Sequence, residues 1–364
     1  MTIREICASF NIEGKYVSCV ELSTGNINCT YQVKFKRDGE DKNYIVQRIN
    51  KTVFTEPEKV MENIVRVTHH IRVNVKENGM STRKFVLRVF LSKEKNEPFI
   101  IDDHGDYWRC YRFIENSITY DTCDDLGIIE RAGSAFGRFQ NFLDGFDASS
   151  LNITIPNFHN TIARYDALHK AAEEDAAGRK KKVMEELMDL YAFESEATKL
   201  QKYLDNGQIP LRVTHNETKC NIVSIDKTTG EALAVLDLDT VKPGAIAHDF
   251  GDAIRFIANT VIEDDPDVDS VALDLDKYKA FAKGFISEVK DTLTDLERKT
   301  LNLGVFAMTV ELAVRFLTDY LNGDKYFKTK YPGHNLDRTR NQIALAKDIM
   351  KKSDEMDAII KNYF

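Results

Sequence analysis

Along the first 115 positions, apolar residues alternate with polar ones in short runs rich in β-branched and aromatic side chains, the pattern of half-buried strands. Five runs stand out: YVSCVEL from Tyr16, TYQVKF from Thr30, YIVQRI from Tyr44, KFVLRVFL from Lys84 and YWRCYRFI from Tyr107. Between the third and fourth the period changes. Val60, Ile64, Val67 and Ile71 recur at helical spacing, which puts them on one stripe of a helix over 57–71. The expected order is βββαββ.

After Glu115 helical periodicity dominates, in LGIIERAGSAFGRFQNFLDGF, in PNFHNTIARYDALHKAA and over 183–204, then over 253–259, 276–289, 293–322 and 338–352. One stretch interrupts it: NIVSID and EALAVLDLD alternate on either side of KTTG, whose Thr-Gly pair suits a hairpin turn. The pattern predicts an α+β chain, with a small β-sheet lobe carrying one helix over 1–115 and a larger, mainly helical lobe over 116–364.

Composition supports two lobes, since 364 residues exceed the size at which one core stops growing. At 43% hydrophobic and 30% charged residues the chain reads as soluble and globular. The net charge of −8, carried mostly by the second half, argues against nucleic acid as a partner but leaves room for a local basic pocket. Six scattered cysteines without a CxxC pair read as reduced core thiols. No run approaches the ~20 apolar residues that cross a bilayer, and the N-terminus MTIREICASFNIEGK is short of them, so no membrane partner and a cytoplasmic location are expected.

Candidate chemistry gathers at the hairpin. If 222–225 pair with 232–235, the turn at 228–230 closes one end and the other gathers His215, Glu217, Asn221, Asp237 and Asp239. Two carboxylates and an amide suit phosphoryl transfer: one group orients the acceptor hydroxyl and takes its proton, and two oxygen ligands hold Mg²⁺ against the phosphates. The same residue types also serve as turn and helix caps.

Here the segments LRVTHNETKCN, LDLDTVKPG and HDFGDAIRF resemble the catalytic segments of the aminoglycoside phosphotransferase superfamily, and most closely of N-acetylhexosamine 1-kinases. The similarity runs nearly end to end, through STGNINCTYQV, YRFIENSITY, RAGSAFGRFQNFL, TIPNFH, RFLTDYLNGDKYF and KTKYPGHNLDRTRNQI. It implies a bilobal, protein-kinase-like fold that uses ATP and Mg²⁺ to phosphorylate the C1 hydroxyl of an N-acetylhexosamine. His215 opens the family's HxDxxxxN loop and Asp237 matches its Mg²⁺-binding carboxylate. Glu217 stands where the family has the proton-accepting Asp, and Ile222 where it has a metal-binding Asn. Either Asn221 takes that role through a shifted loop, or Asp237 and water hold the metal. The alternative implied by Glu217 and Ile222 is a weakened or inactive relative that binds nucleotide or sugar.

The resemblance also implies a nucleotide site in the first lobe. The loop between the first two strands would cover the phosphates with Gly25, Asn26 and Asn28, although a plain hairpin turn reads the same. The third strand offers Arg48, with Gln47 beside it, as the phosphate cation, and Glu62 as a partner on the helix. The link at 113–116, with Phe113 and Glu115, would meet adenine. For the sugar, Arg315 and Tyr326 are the candidates, with Asp249 and Arg255 as further walls. A bland alternative is a row of surface ion pairs, because Glu311, Arg315 and Asp319 follow at i, i+4 and i+8. His159, His69 and His70 read as structural or solvent-facing.

Overall fold

The computed structural model describes residues 1–22, 27–120 and 122–364. They form two compact units: Met1–Thr119 with Ser150–Ile155 and Val223–Lys242, and Tyr120–Ser149 with Pro156–Ile222 and Pro243–Phe364.

The first unit is built on a six-stranded antiparallel sheet. Lys15–Leu22, Cys29–Arg37, Glu40–Arg48, Tyr107–Arg112 and Val89–Phe90 lie in that order, and Ile100–Ile101 also pairs with Tyr107–Arg112. The register places Tyr44 opposite Arg112 and Val46 opposite Cys110, with Ile45 opposite Tyr111 and Gln47 opposite Arg109 between them. Strand alternation therefore gives two faces. One carries Val33, Phe35, Tyr44, Val46, Cys110 and Trp108, packed as a core with Ile6, Cys7 and Phe10 of the N-terminal segment. The opposite face carries Gln47, Arg109 and Tyr111.

The helix Pro57–Glu77 starts on a proline, which at the first turn has no missing hydrogen bond to regret. Its predicted stripe is fully buried and continues one turn further to Val75, at roughly 1.5–3 kcal/mol for each large apolar side chain removed from water. Two expectations change. KFVLRVFL contributes only Val89–Phe90 to the sheet, because Phe85, Val86 and Leu87 are buried in irregular chain after the helix. A short helix, Ile3–Ala8, was not expected, although Thr2 and Glu5 form the capping box that the spacing T-x-x-E announces.

The predicted hairpin is present, with Ala232 opposite Ile225 and Val235 opposite Val223. Asp226 organises its turn, accepting from the backbone N–H of Thr228 at 2.9 Å and of Thr229 at 3.1 Å. All eight residues of the two strands are buried.

The second unit is helical. Leu126–Phe142 packs on Leu275–Val289, and Ile246–Ile257 on Asp295–Leu321. Both pairs rest on glycines. A Cβ on Gly284 would lie 1.9 Å from the Glu130 carbonyl oxygen, and one on Gly304 would lie 2.1 Å from that of Ala247. The expected helix over 183–204 divides at Thr198 into Met184–Ala197 and Lys199–Asp205. A final helix, Ser353–Lys361, adds Met356 and Ile360 to the core. Asp295–Leu321 corrects one expectation, for it is long and apolar enough by composition to cross a membrane, but 78% of its apolar window is buried in the protein, as in a core helix.

Candidate active site

The residues read as one constellation fall in both units: Asp237 and Asp239 in the first, His215, Glu217 and Asn221 in the second.

In the first unit Asp237 precedes the 3₁₀ turn Leu238–Thr240 and has φ 57°, ψ 61°, a left-handed conformation that Asp tolerates better than most residues. Two residues on, Asp239 receives both terminal nitrogens of Arg109, one of them at 2.9 Å, and the Asn28 amide at 2.7 Å. Arg109 is 1% exposed and Asp239 4%. Burial opposes the Arg109 charge, yet Asp239 outweighs it and raises the guanidinium above its ordinary value. Gln47 completes the arrangement by accepting from Arg109 Nε at 3.0 Å and donating to Thr30 Oγ1 at 2.9 Å. The buried Asn63 ties the helix to the same turn, donating to the Val241 carbonyl at 3.2 Å. This network pins the backbone on which Asp237 sits.

Arg48, chosen for the phosphate site, is corrected by the same geometry. Neighbours on a strand face opposite ways, so Arg48 and Gln47 cannot serve one site. Arg48 bonds Asp106 and Cys29, both at 3.2 Å, and lies over the Trp108 ring. Glu62 pairs with Arg66 and Asn152, not with Arg48. Phe113 N–H donates to the Asn43 carbonyl at 3.3 Å, and Glu115 accepts from the Asn43 backbone and amide. Gly25 and Asn26 lie outside the described residues; Asn28 is placed on Asp239.

In the second unit the segment 214–222 is held from below by the helix Ile246–Ile257. Asp249 accepts from the backbone N–H of His215 and of Asn216, each at 2.8 Å, and from Gln140 Nε2 at 2.8 Å. One turn later Asp252 accepts from Thr218 N–H at 2.9 Å and pairs with Arg255, which also meets Glu263 at 2.7 Å. Burial pushes the Asp249 carboxyl up despite those bonds. At Asp252 burial works the same way, but Arg255 and the Thr218 N–H win and lower it. Asp249 and Arg255, expected on a sugar wall, are thus buried and fully engaged beneath the loop. His215 packs edge-on against Phe136 and Phe139.

Glu217 is half-buried, and Lys219 Nζ donates to its Oε1 at 2.7 Å. Burial opposes the Lys219 charge, but Glu217 keeps the ammonium above its ordinary value. Sequence reading passed over Lys219, although it follows Glu217 by two positions. The loop then closes in the 3₁₀ turn Cys220–Ile222, with the Ile222 side chain buried. Asn221 Oδ1 is buried without a hydrogen-bond partner. An orphaned amide oxygen and the Asp237 carboxylate are hard oxygen donors of the kind Mg²⁺ takes. Each of these oxygens is of a kind that fits the ion, whereas the buried, apolar Ile222 side chain offers none.

Farther along this unit, the row of surface ion pairs does not form. Glu311 binds His159 Nδ1 at 2.9 Å and Thr161 Oγ1 at 3.0 Å, and Asp319 accepts the backbone N–H groups of Lys325, Tyr326 and Phe327. Arg315 makes no ion pair or side-chain hydrogen bond among the described residues; its guanidinium lies 5.5–6.0 Å from the rings of Phe158, Tyr326 and Phe327. His159, read as structural or solvent-facing, bridges Glu311 to the Asn216 carbonyl, a link that a separation of 57 positions conceals from sequence reading.

The profile of the phosphotransferase enzyme family (APH) matches residues 18–281 of this chain. Among solved structures, an aminoglycoside phosphotransferase from Alicyclobacillus acidocaldarius aligns over 100% of this chain and 97% of its own at 12% identity, with a TM-score of 0.61. A spectinomycin phosphotransferase in complex with ADP and spectinomycin aligns over 96% and 98%, with 12% identity and a TM-score of 0.56. A choline kinase from Cryptosporidium parvum aligns over 100% and 97%, again at 12% identity and 0.56. At that identity the likeness concerns the fold, which is the α+β, protein-kinase-like fold expected from the sequence. With nearly three quarters of its length matched by the family profile, the chain belongs to the phosphotransferase enzyme family.

Proposed function

We propose that this chain is an ATP- and Mg²⁺-dependent kinase that phosphorylates the C1 hydroxyl of an N-acetylhexosamine. Arg315 carries the substrate assignment. An unpaired guanidinium ringed by three aromatic side chains suits a neutral polyol, whose hydroxyls accept from the fork while the rings cover its apolar face. It repels choline or a polycationic antibiotic, the acceptor types of the relatives named above. Arg164 adds to that positive field: burial first, and then repulsion from Arg315, lower its guanidinium below the ordinary value.

In the reaction, the C1 oxygen bonds the γ-phosphorus of ATP as the bond to the bridging oxygen breaks, releasing ADP. The hydroxyl proton passes to the Glu217 carboxylate, which Lys219 orients. Asn221 or Asp237 would hold Mg²⁺, and the ion would supply neutralisation of charge on the phosphates. Asp249 and Asp252 position the loop, and Arg109 with Asp239 positions Asp237. Glu217 favours a second reading, a weakened enzyme, since its extra methylene displaces the carboxylate by about 1 Å and such a shift can cost on the order of 10²-fold.

Steady-state assays with a panel of N-acetylhexosamines, choline and aminoglycosides test the substrate class. Wild type should favour an N-acetylhexosamine, and Arg315→Met should raise its KM at least about tenfold, the loss of one charged hydrogen-bond donor. A cationic acceptor among the best substrates, or an unchanged KM in Arg315→Met, contradicts the assignment.

A further inference from the structure

The first unit carries a second cluster of charge, at the edge of its sheet where Val89–Phe90 lies. Arg88 directly precedes the strand Val89–Phe90, and its carbonyl accepts from Arg112 N–H at 2.9 Å, which sets the two arginines side by side across strands. Like charges so placed are destabilising unless something lies between them. Arg72 on the helix and Arg83 in the segment after it complete the group. Two cavities of about 410 and 500 Å³ meet here; Arg88 and Arg112 line both, Arg83 the first and Arg72 the second.

None of these four guanidiniums has an ion pair or side-chain hydrogen bond among the described residues, in a chain of net charge −8 with 58 carboxylates to choose from. Other cations on the cavity walls are paired: Arg37 with Glu13, Lys42 with Glu40 and Lys84 with Asp226. Glu13 and Glu115 also line the first cavity, but Glu13 is held by Arg37 and Glu115 by Asn43. Burial, and after it repulsion from Arg88, Arg83 and Arg72, pulls the Arg112 guanidinium below its ordinary value. The cluster therefore lacks an anion, and planar forks converging on a concave surface match phosphoryl oxygens two at a time.

We propose that Arg72, Arg83, Arg88 and Arg112 form a second anion site at the Val89–Phe90 edge of the first unit's sheet, taking a compact ligand with two or more phosphoryl groups. Two cavities meeting at Arg88 and Arg112 suit a ligand with two charged ends better than a single phosphate. The four arginines are distinct from Glu217, Asp237 and Arg315, although Phe113 and Glu115, expected near adenine, line the first cavity.

Titration calorimetry with pyrophosphate in EDTA, on the full chain at low salt, tests this directly. Wild type should bind pyrophosphate at least tenfold more tightly than orthophosphate. The double variant Arg88→Gln, Arg112→Gln should lose at least tenfold in affinity, while Arg66→Gln, which removes a paired arginine from the same helix, should bind as wild type does. Thermal unfolding guards against misfolding: pyrophosphate should raise the wild-type Tm, and the double variant should unfold cooperatively without that rise. No pyrophosphate binding by wild type, equal binding by the double variant, or tighter binding of oligoglutamate than of pyrophosphate overturns the proposal.

Discussion

Asp239→Ala should unsettle the first unit more than any change at its surface. Arg109 is 1% exposed, and both its terminal nitrogens are spent on Asp239. Without that carboxylate it keeps Gln47 Oε1 on Nε at 3.0 Å, the Met61 sulfur at 3.9 Å and the Tyr111 ring at 5.1 Å, and none of these contacts neutralises a charge. The Asn28 amide loses its acceptor as well. Removing one partner of a buried ion pair costs about 3–5 kcal/mol, a large part of the roughly 5–15 kcal/mol that stabilises a typical domain. Trp108, the single tryptophan, is buried in the same sheet and reports its unfolding. With a urea slope of about 2 kcal/mol/M, the midpoint should fall by roughly 2 M. Arg109→Leu combined with Asp239→Leu should recover at least half of the loss, since an apolar pair leaves no charge stranded. A midpoint shift below about 0.5 M on the same slope, or a double variant no better than the single one, refutes the pairing as the source of stability.

Three further outcomes follow from the second unit and its loop. Alanine at Gly304 gains about 1 kcal/mol of helix propensity, but its Cβ would meet the Ala247 carbonyl at 2.1 Å; the clash should dominate and lower the Tm, and a raised Tm contradicts the close approach. Asn221→Leu removes an orphaned buried oxygen, so stability should hold or rise while half-maximal activity needs at least about tenfold more Mg²⁺, as loss of a ligand demands; unchanged Mg²⁺ dependence excludes Asn221 as a ligand. Asp264, against the pull of burial, is lowered to about 2 by Lys330 and Arg338. It binds its proton more weakly folded than unfolded, so its contribution is present above the unfolded value of 3.8 and is lost as pH falls towards 2. Partial exposure reduces that contribution to about 1 kcal/mol, so Asp264→Asn should destabilise at pH 7 and match wild type near pH 2; an equal deficit at both pH values rejects the linkage.

What could be read in advance was what depends on near neighbours. The stripe Val60, Ile64, Val67 and Ile71 fixed its helix, and alternation around KTTG fixed the hairpin pairing, because both signals lie within a few residues. Thr2 and Glu5 were equally local and were passed over. Other features depend on distant partners. Arg109 looks like any strand arginine until Asp239, 130 positions later, comes to lie against it. The helix expected from Ala253 begins at Ile246, because Gly251 and Gly304 trade helix propensity for backbone contact. Likewise Arg315 stood in a plausible row of ion pairs until Glu311 and Asp319 turned to other groups. The resemblance of HDFGDAIRF to a family segment marked Asp249 and Arg255 without saying that Asp249 holds the loop backbone from below and that Arg255 pairs with Asp252 and Glu263.

Phosphorus NMR of the purified chain with ATP, Mg²⁺ and N-acetylglucosamine or N-acetylgalactosamine tests the sugar 1-kinase reading most directly. A hexosamine 1-phosphate should appear, with one ADP formed for each. No sugar phosphate above a protein-free control, with product gained in Glu217→Asp plus Ile222→Asn, would mean that the wild-type chain is a silent relative; phosphate on any other hydroxyl would contradict the C1 assignment.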